Sequence, residues 1–286
     1  MLDEIDRFVK WTRRRNPEAR TWRDYASDLR QFAAVVGDVP PGQVSVRDVD
    51  RFVAAQADHG YKPATINRRL AAITALYTFL CGEDVALVCP VRPRRHNVRE
   101  PKRLPRPVPH DDLERFFAVV DDARDQAMLI LMLRCGLRIA EVAALRLGDV
   151  YLGGPRPRLI VRGKGSKERA AYLSSQAEHA LRLYLAERPA AASDFVFLSY
   201  LGDGLSTTAI RKRIMHYRDA AGVMLSAHRL RHSFARDMVG AGMPVTSLQK
   251  LLGHAWVETT QGYVDADDHL VRDDFYRASD KVEVWE

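Results

Sequence analysis

Three runs of residues in the C-terminal half of the chain carry the side-chain types that phosphoryl transfer requires. Cleaving a phosphodiester takes positive charge to hold the non-bridging oxygens, a nucleophile, and a donor that protonates the departing oxygen. Arg138, in Cys135-Gly136-Leu137-Arg138-Ile139-Ala140-Glu141, follows a glycine turn near the start of a new helix, where a guanidinium can fork onto two phosphate oxygens. Glu141, three residues on and on the same helical face, either orients that arginine or caps the helix. Taken alone, an arginine in such a place is most often an ordinary surface residue.

The second run is Ala227-His228-Arg229-Leu230-Arg231-His232, introduced by the cap-competent Ser226. His228 and Arg231 stand one helical turn apart and face the same way, so an imidazole can pass a proton near neutral pH while the arginine holds a phosphate. The competing reading is an amphipathic helix with Leu230 buried and the basic residues in solvent. His228 and His232 also have the spacing of a helical zinc pair, but Arg229 stands where a metalloprotease motif needs its glutamate, and the basic neighbours repel a dication. No metal is expected. The third run is Leu251-Leu252-Gly253-His254-Ala255-Trp256 followed by Thr259-Thr260-Gln261-Gly262-Tyr263. Its first glycine ends one helix, with His254 at the junction and Tyr263 about two turns further on. A lone tyrosine in such a helix ordinarily reads as a core ring with its hydroxyl at the surface.

Several elements must position these runs. Up to about Val88 the apolar residues recur at three- and four-residue spacing, as in Ile66, Leu70, Ile73, Leu76, Tyr77 and Leu80, which predicts a small helical bundle. Thr21 and Ser45 are expected caps, and Pro63 opens the helix that carries Arg68 and Arg69. Residues 89–109 then mix six prolines with Arg92, Arg94, Arg95, Arg99, Lys102, Arg103 and Arg106 against one acid, Glu100. That composition predicts an extended linker, either a solvated spacer or a basic strap across a phosphate backbone. Beyond it, His110-Asp111-Asp112 signals a helix start. Residues 158–162 and 168–173 read as a β-hairpin around the tip Gly163-Lys164-Gly165-Ser166-Lys167. Helices return at residues 181–185, 210–217, 229–239 and 245–252.

Gly136-Leu137-Arg138 with Glu141, the tip Gly163-Lys164-Gly165, the box from His228 to His232, Leu251-Leu252-Gly253-His254 and Thr259-Thr260-Gln261-Gly262-Tyr263 stand in an order that resembles the signature of the tyrosine recombinases, of the lambda-integrase and Xer type. The resemblance covers nearly all of the second half and reaches the first through its helical bundle and length. It implies a mainly α fold with a small β-hairpin or sheet: a SAM-like core-binding bundle over residues 1–90, a linker over 91–108, and a mixed α/β catalytic domain with a C-terminal tail over 109–286. It further implies that Tyr263 attacks a DNA phosphate to give a 3′-phosphotyrosyl bond, with Arg138 and Arg231 on the non-bridging oxygens. His228 would assist proton transfer at the tyrosine, Lys164 would protonate the 5′-oxygen, and His254 would add a hydrogen bond to the phosphate. Lys167 lies close to Lys164, and the family pattern favours the lysine flanked by glycines. Gly262 departs from the family, which commonly has a larger residue there. Arg68, Arg69, Arg94, Arg95, Lys102 and Arg103 are the expected DNA-backbone contacts outside the active site.

The implied partner is double-stranded DNA. The enzyme would act as a dimer on one site and a tetramer on paired sites, homomeric or with a paralogue, without metal or nucleotide cofactor. The two domains would clamp the duplex, and the acidic stretch after Tyr263 either docks on a neighbouring subunit or is a solvated tail. A type IB-like topoisomerase and a DNA-binding protein that no longer cleaves are the alternatives. Composition agrees with a nucleic-acid partner without requiring one: 286 residues, 47% hydrophobic and 28% charged, carry a net charge of +7. Cys81, Cys89 and Cys135 are scattered, which predicts core thiols rather than a disulfide framework or a zinc site. The acidic start Met1-Leu2-Asp3-Glu4 is unlike a signal peptide, and no apolar run has the length of a membrane span, so a cytoplasmic location is expected.

Overall fold

The computed structural model describes residues 1–17, 21–100, 108–153, 157–163 and 168–252. The chain divides into two compact units, Met1–Lys102 and Arg103–Glu286.

The first unit packs α1 (Leu2–Arg15), α2 (Thr21–Val36), α3 (Val46–Asp58) and α4 (Pro63–Cys81) around one core. Ile5, Phe8, Leu29, Phe32, Phe52, Ile66, Leu70, Ile73 and Leu76 are its centre, with the Phe32 and Phe52 rings edge to face at 5.2 Å. Ser45 begins α3 as a reciprocal cap: its side chain accepts from the Asp48 backbone N–H at 3.3 Å, and its own N–H donates to the Asp48 carboxylate at 2.7 Å. Pro63 occupies the first turn of α4, where a missing N–H costs nothing. Thr21, expected as a cap, is instead the first helical residue of α2.

The expected linker is not extended throughout. Residues 92–98 are fastened to the bundle, with a helical turn α5 (Pro93–His96) in their middle. Asn67 of α4 clamps the chain by donating to the Val98 carbonyl at 2.8 Å and accepting from the Val98 N–H at 2.9 Å. Arg95 forks the Asp50 carboxylate of α3 with bonds of 2.8 and 2.6 Å. His96 is buried beside it, its Nδ1 accepting from the Arg92 N–H at 2.8 Å and its Nε2 3.2 Å from Asp50. Prolines and arginines mark this segment as a spacer, yet Arg95 and His96 meet Asp50 of α3, and the Val98 backbone meets Asn67 of α4.

The second unit is built on α7 (Ala123–Arg134), whose residues 127–133 are all buried. A helix apolar on every side must be wrapped. Around it stand α6 (His110–Ala118), α8 (Ile139–Ala144), α9 (Ser175–Glu187), α10 (Thr207–Ala221), α11 (Ala227–Gly240) and α12 (Val245–Leu252). A three-stranded antiparallel sheet in the order β1 (Val150–Tyr151), β2 (Arg158–Arg162), β3 (Glu168–Tyr172) completes it. The hairpin arms β2 and β3 fall where alternation predicted them, with Leu159, Val161 and Ala171 turned to the core. No described helix is long and apolar enough to cross a membrane.

Candidate active site

Gly136 makes the turn between α7 and α8 with φ +64, a conformation that L side chains rarely adopt. It is also where the core comes closest, because a Cβ there would lie 2.5 Å from Phe234 of α11 and 2.8 Å from Leu252 of α12. The turn delivers Arg138 to the N-terminal end of α8. Glu141 then does both things its spacing allowed: its carboxylate accepts from the Arg138 backbone N–H at 2.7 Å, capping the helix, and from Arg138 Nη1 at 3.0 Å, orienting the guanidinium. Glu141 is buried, while the Arg138 side chain stays 40% exposed.

Arg231 reaches the same place from α11. Its Nη1 donates to the Gly136 carbonyl, its Nη2 donates to the Leu252 carbonyl at 2.7 Å, and its guanidinium lies 3.8 Å from Glu141. This side chain therefore ties α11 to the α7–α8 turn and to the last residue of α12. His228, one turn earlier, completes the group. Burial first, then the charges of Arg231 and Arg138, hold its imidazole below the usual histidine range. His232 meets the His228 ring edge to face at 4.0 Å, and burial first, then His228 and the charge of Arg231, pushes it down to about 4. Ser226 starts the helix as expected, accepting from the Arg229 N–H at 3.3 Å.

One member of the site went unseen in the sequence. Arg169 of β3 donates to Glu141 Oε2 at 2.9 Å, so a single buried carboxylate serves three guanidiniums. The signal was available. Strand alternation places residue 169 on the same inward face as Ala171, and an arginine at an inward position needs a buried acid.

The structure thus brings together Arg138, Glu141, His228 and Arg231. Lys164, Lys167, His254 and Tyr263 lie outside the described residues, as do Lys102 and Arg103. Of the other expected DNA contacts, Arg69 is corrected. It is buried, with its guanidinium 4.0 Å over the Tyr61 ring and 3.6 Å from Asp28, and acts as a strut of the bundle. Arg68 pairs with Asp28 but stays half exposed, Arg95 forks Asp50 from the surface, and Arg94 is exposed. Among the described residues no group of three or more histidine, cysteine or acidic side chains could hold a metal ion.

Comparison with known proteins agrees with both halves. Residues 106–269 match the phage integrase family, and residues 5–84 match the phage integrase N-terminal SAM-like domain. The chain is 32% identical to the tyrosine recombinase XerC of Rhodospirillum centenum over 94% of its own length and 84% of the relative's. It is 30% identical to the tyrosine recombinase XerD of Listeria monocytogenes serotype 4b, over 92% and 94%. Among solved structures, the XerH site-specific recombinase in a post-cleavage complex with a palindromic difH substrate superposes with a TM-score of 0.77 at 21% identity, covering 100% of this chain and 85% of that one. A lambda integrase dimer bound to a COC′ core site gives 0.74 at 18% identity, covering 94% and 96%. The fold is shared with both. On the catalytic-domain match and the identity to its Xer relatives, the chain belongs to the phage integrase family and is a tyrosine recombinase of the lambda-integrase and Xer type.

Proposed function

We propose that this chain breaks and rejoins duplex DNA at specific sites through Tyr263. The observation that carries the reading is the convergence of Arg138 and Arg231 on one buried carboxylate, with His228 within reach of both charges. In the reaction the Tyr263 oxygen attacks the scissile phosphorus, the new bond is a 3′-phosphotyrosyl ester, and the bond to the 5′-oxygen breaks. Arg138 and Arg231 hold the non-bridging oxygens. His228, its pKa lowered by desolvation and by the charges of Arg231 and Arg138, is placed to take the tyrosine proton. Lys164 hands a proton to the departing 5′-oxygen, and His254 adds a bond to the phosphate. A second 5′-hydroxyl reverses these steps on a new strand, so the phosphotyrosine conserves the bond energy and no ATP enters. Two arginines and a lysine supply the positive charge that a metal supplies elsewhere, and an arginine on a phosphoryl transition state is worth roughly 10³ to 10⁵ in rate.

The partner is double-stranded DNA, gripped also by Arg68, Arg94, Arg95, Lys102 and Arg103. The chain works as a dimer on one site and as a tetramer on two, made of one chain or shared with a paralogue. Lambda integrase has been solved as a DNA-bound dimer and as a tetramer on a Holliday junction. The division of labour follows residues 1–90, 91–108 and 109–286, with residues 92–98 carried on the first unit.

The test is to incubate the purified protein and its Tyr263→Phe variant with sheared genomic DNA, trap adducts with detergent, and sequence the attached ends. Adducts from the wild type alone, clustered at inverted half-sites, are expected. Tyr263-dependent adducts without sequence preference would instead mean a topoisomerase. DNA binding without any adduct would mean a chain that no longer cleaves.

A further inference from the structure

Arg169 sits on β3 directly opposite Val161, on the face of the hairpin that turns inward. Its side chain is 13% exposed, and burial lowers the pKa of its guanidinium, with the Glu141 carboxylate opposing that shift. Only its Nη2 bond to Glu141 is satisfied: Nε and Nη1 are buried and, among the described residues, have no hydrogen-bond partner. A guanidinium held this way is a poor device for stability. Two buried donors without acceptors carry a desolvation cost, and an apolar side chain of similar volume would fill the space without it.

What the arginine does achieve is orientation. Glu141 Oε2 receives the Arg169 bond together with the Arg138 backbone N–H, which fixes the rotation of the carboxylate and leaves Oε1 aimed at Arg138 Nη1. The same carboxylate lies beside Arg231. We propose that Arg169 is a positioning residue for strand cleavage: through Glu141 it sets the directions in which Arg138 and Arg231 present their guanidiniums to the scissile phosphate. The inference rests on the reading of those two arginines as the phosphate-holding pair. It also couples β3 to the two arginines, because the residue doing the aiming is on that strand.

The experiment compares wild type, Arg169→Met, Arg169→Lys, Glu141→Gln and the Arg169→Met/Glu141→Gln double variant. Each is given a nicked duplex carrying the site mapped with the wild type, under single-turnover conditions with DNA saturating. Adduct formation, DNA affinity and Tm are read for every variant. Misaiming a reacting group by about 1 Å can slow a step about 100-fold. Arg169→Met is expected to bind DNA as the wild type does and to cleave about 100-fold more slowly at saturation. Arg169→Lys, which keeps the charge, should recover part of the rate. Arg169→Met should cost nothing further once Glu141 is Gln, since Arg169 acts on the arginines only through that carboxylate. Wild-type cleavage by Arg169→Met, a loss confined to affinity or Tm, or independent additive losses in the double variant would each overturn the proposal. If Arg169→Met does not fold, Arg169→Lys decides alone: slower saturated cleavage at unchanged affinity supports the assignment, and a wild-type rate rejects it. Absence of adducts with the wild type would overturn the recombinase reading and this inference with it, whereas a cleaving wild type beside an equally fast Arg169→Met would overturn this inference alone.

Discussion

His228 and His232 face each other at 4.0 Å beside two arginines, and the protein keeps both rings below the ordinary imidazole pKa, His232 at about 4. The consequence for stability has a definite sign. An unfolded histidine takes up its proton near pH 6.5, whereas the folded protein refuses it until about pH 4 at His232. The contribution of His232 is therefore constant above pH 6.5 and is lost progressively as the pH falls from there toward 4. Thermal unfolding followed from pH 7.5 to 4 should show a steeper acid loss of Tm for the wild type than for His232→Gln. Parallel curves would show that the ring is not held neutral. At this scale the sequence was informative where partners share a helix or a turn. Arg138 with Glu141, and His228 with Arg231, are three residues apart, and helical geometry alone puts each pair on one face. Arg169 escaped because its partner lies 28 residues away on another element.

Helices and their starts were legible for the same local reason. The Ser45 cap, the Pro63 start and the alternation of the hairpin arms are all written in adjacent residues. Residues 92–98 were misread because composition speaks of solubility, not of contacts made 31 residues away by Asn67 or 45 residues away by Asp50. The turn at Gly136 is the element on which the site depends most. It combines a positive φ with contact to Phe234 and Leu252, and its carbonyl receives the Arg231 guanidinium. Gly136→Ala should destabilise the second unit by roughly 2 to 5 kcal/mol, the sum of a strained backbone and an overpacked core. Because the same shift moves Arg231, adduct formation should fall even below the melting temperature of the variant. Chemical denaturation and cleavage assays check the two effects, and a variant as stable and as active as the wild type would refute the role given to this turn.

At the scale of the whole molecule, each unit carries its own hydrophobic core, and the family matches fall one on each: residues 5–84 within the first and 106–269 within the second. The net charge of +7 suits a protein that must hold a polyanion, but the charge does not by itself distinguish a binder from an enzyme. The described residues bring Arg138, Arg231 and His228 together around Glu141, and the nucleophile is proposed from the order of motifs that ends in Tyr263. The link between them is the central claim, and it is open to direct chemistry. The adduct formed with DNA in the absence of added metal is digested with nuclease and trypsin, and the peptide spanning residues 251–272, which contains a single tyrosine, is examined by tandem mass spectrometry. The account predicts a nucleotide joined through its 3′-phosphate to Tyr263, with a free 5′-hydroxyl on the other DNA end. A nucleotide on any other residue, or one joined through a 5′-phosphate, would contradict it.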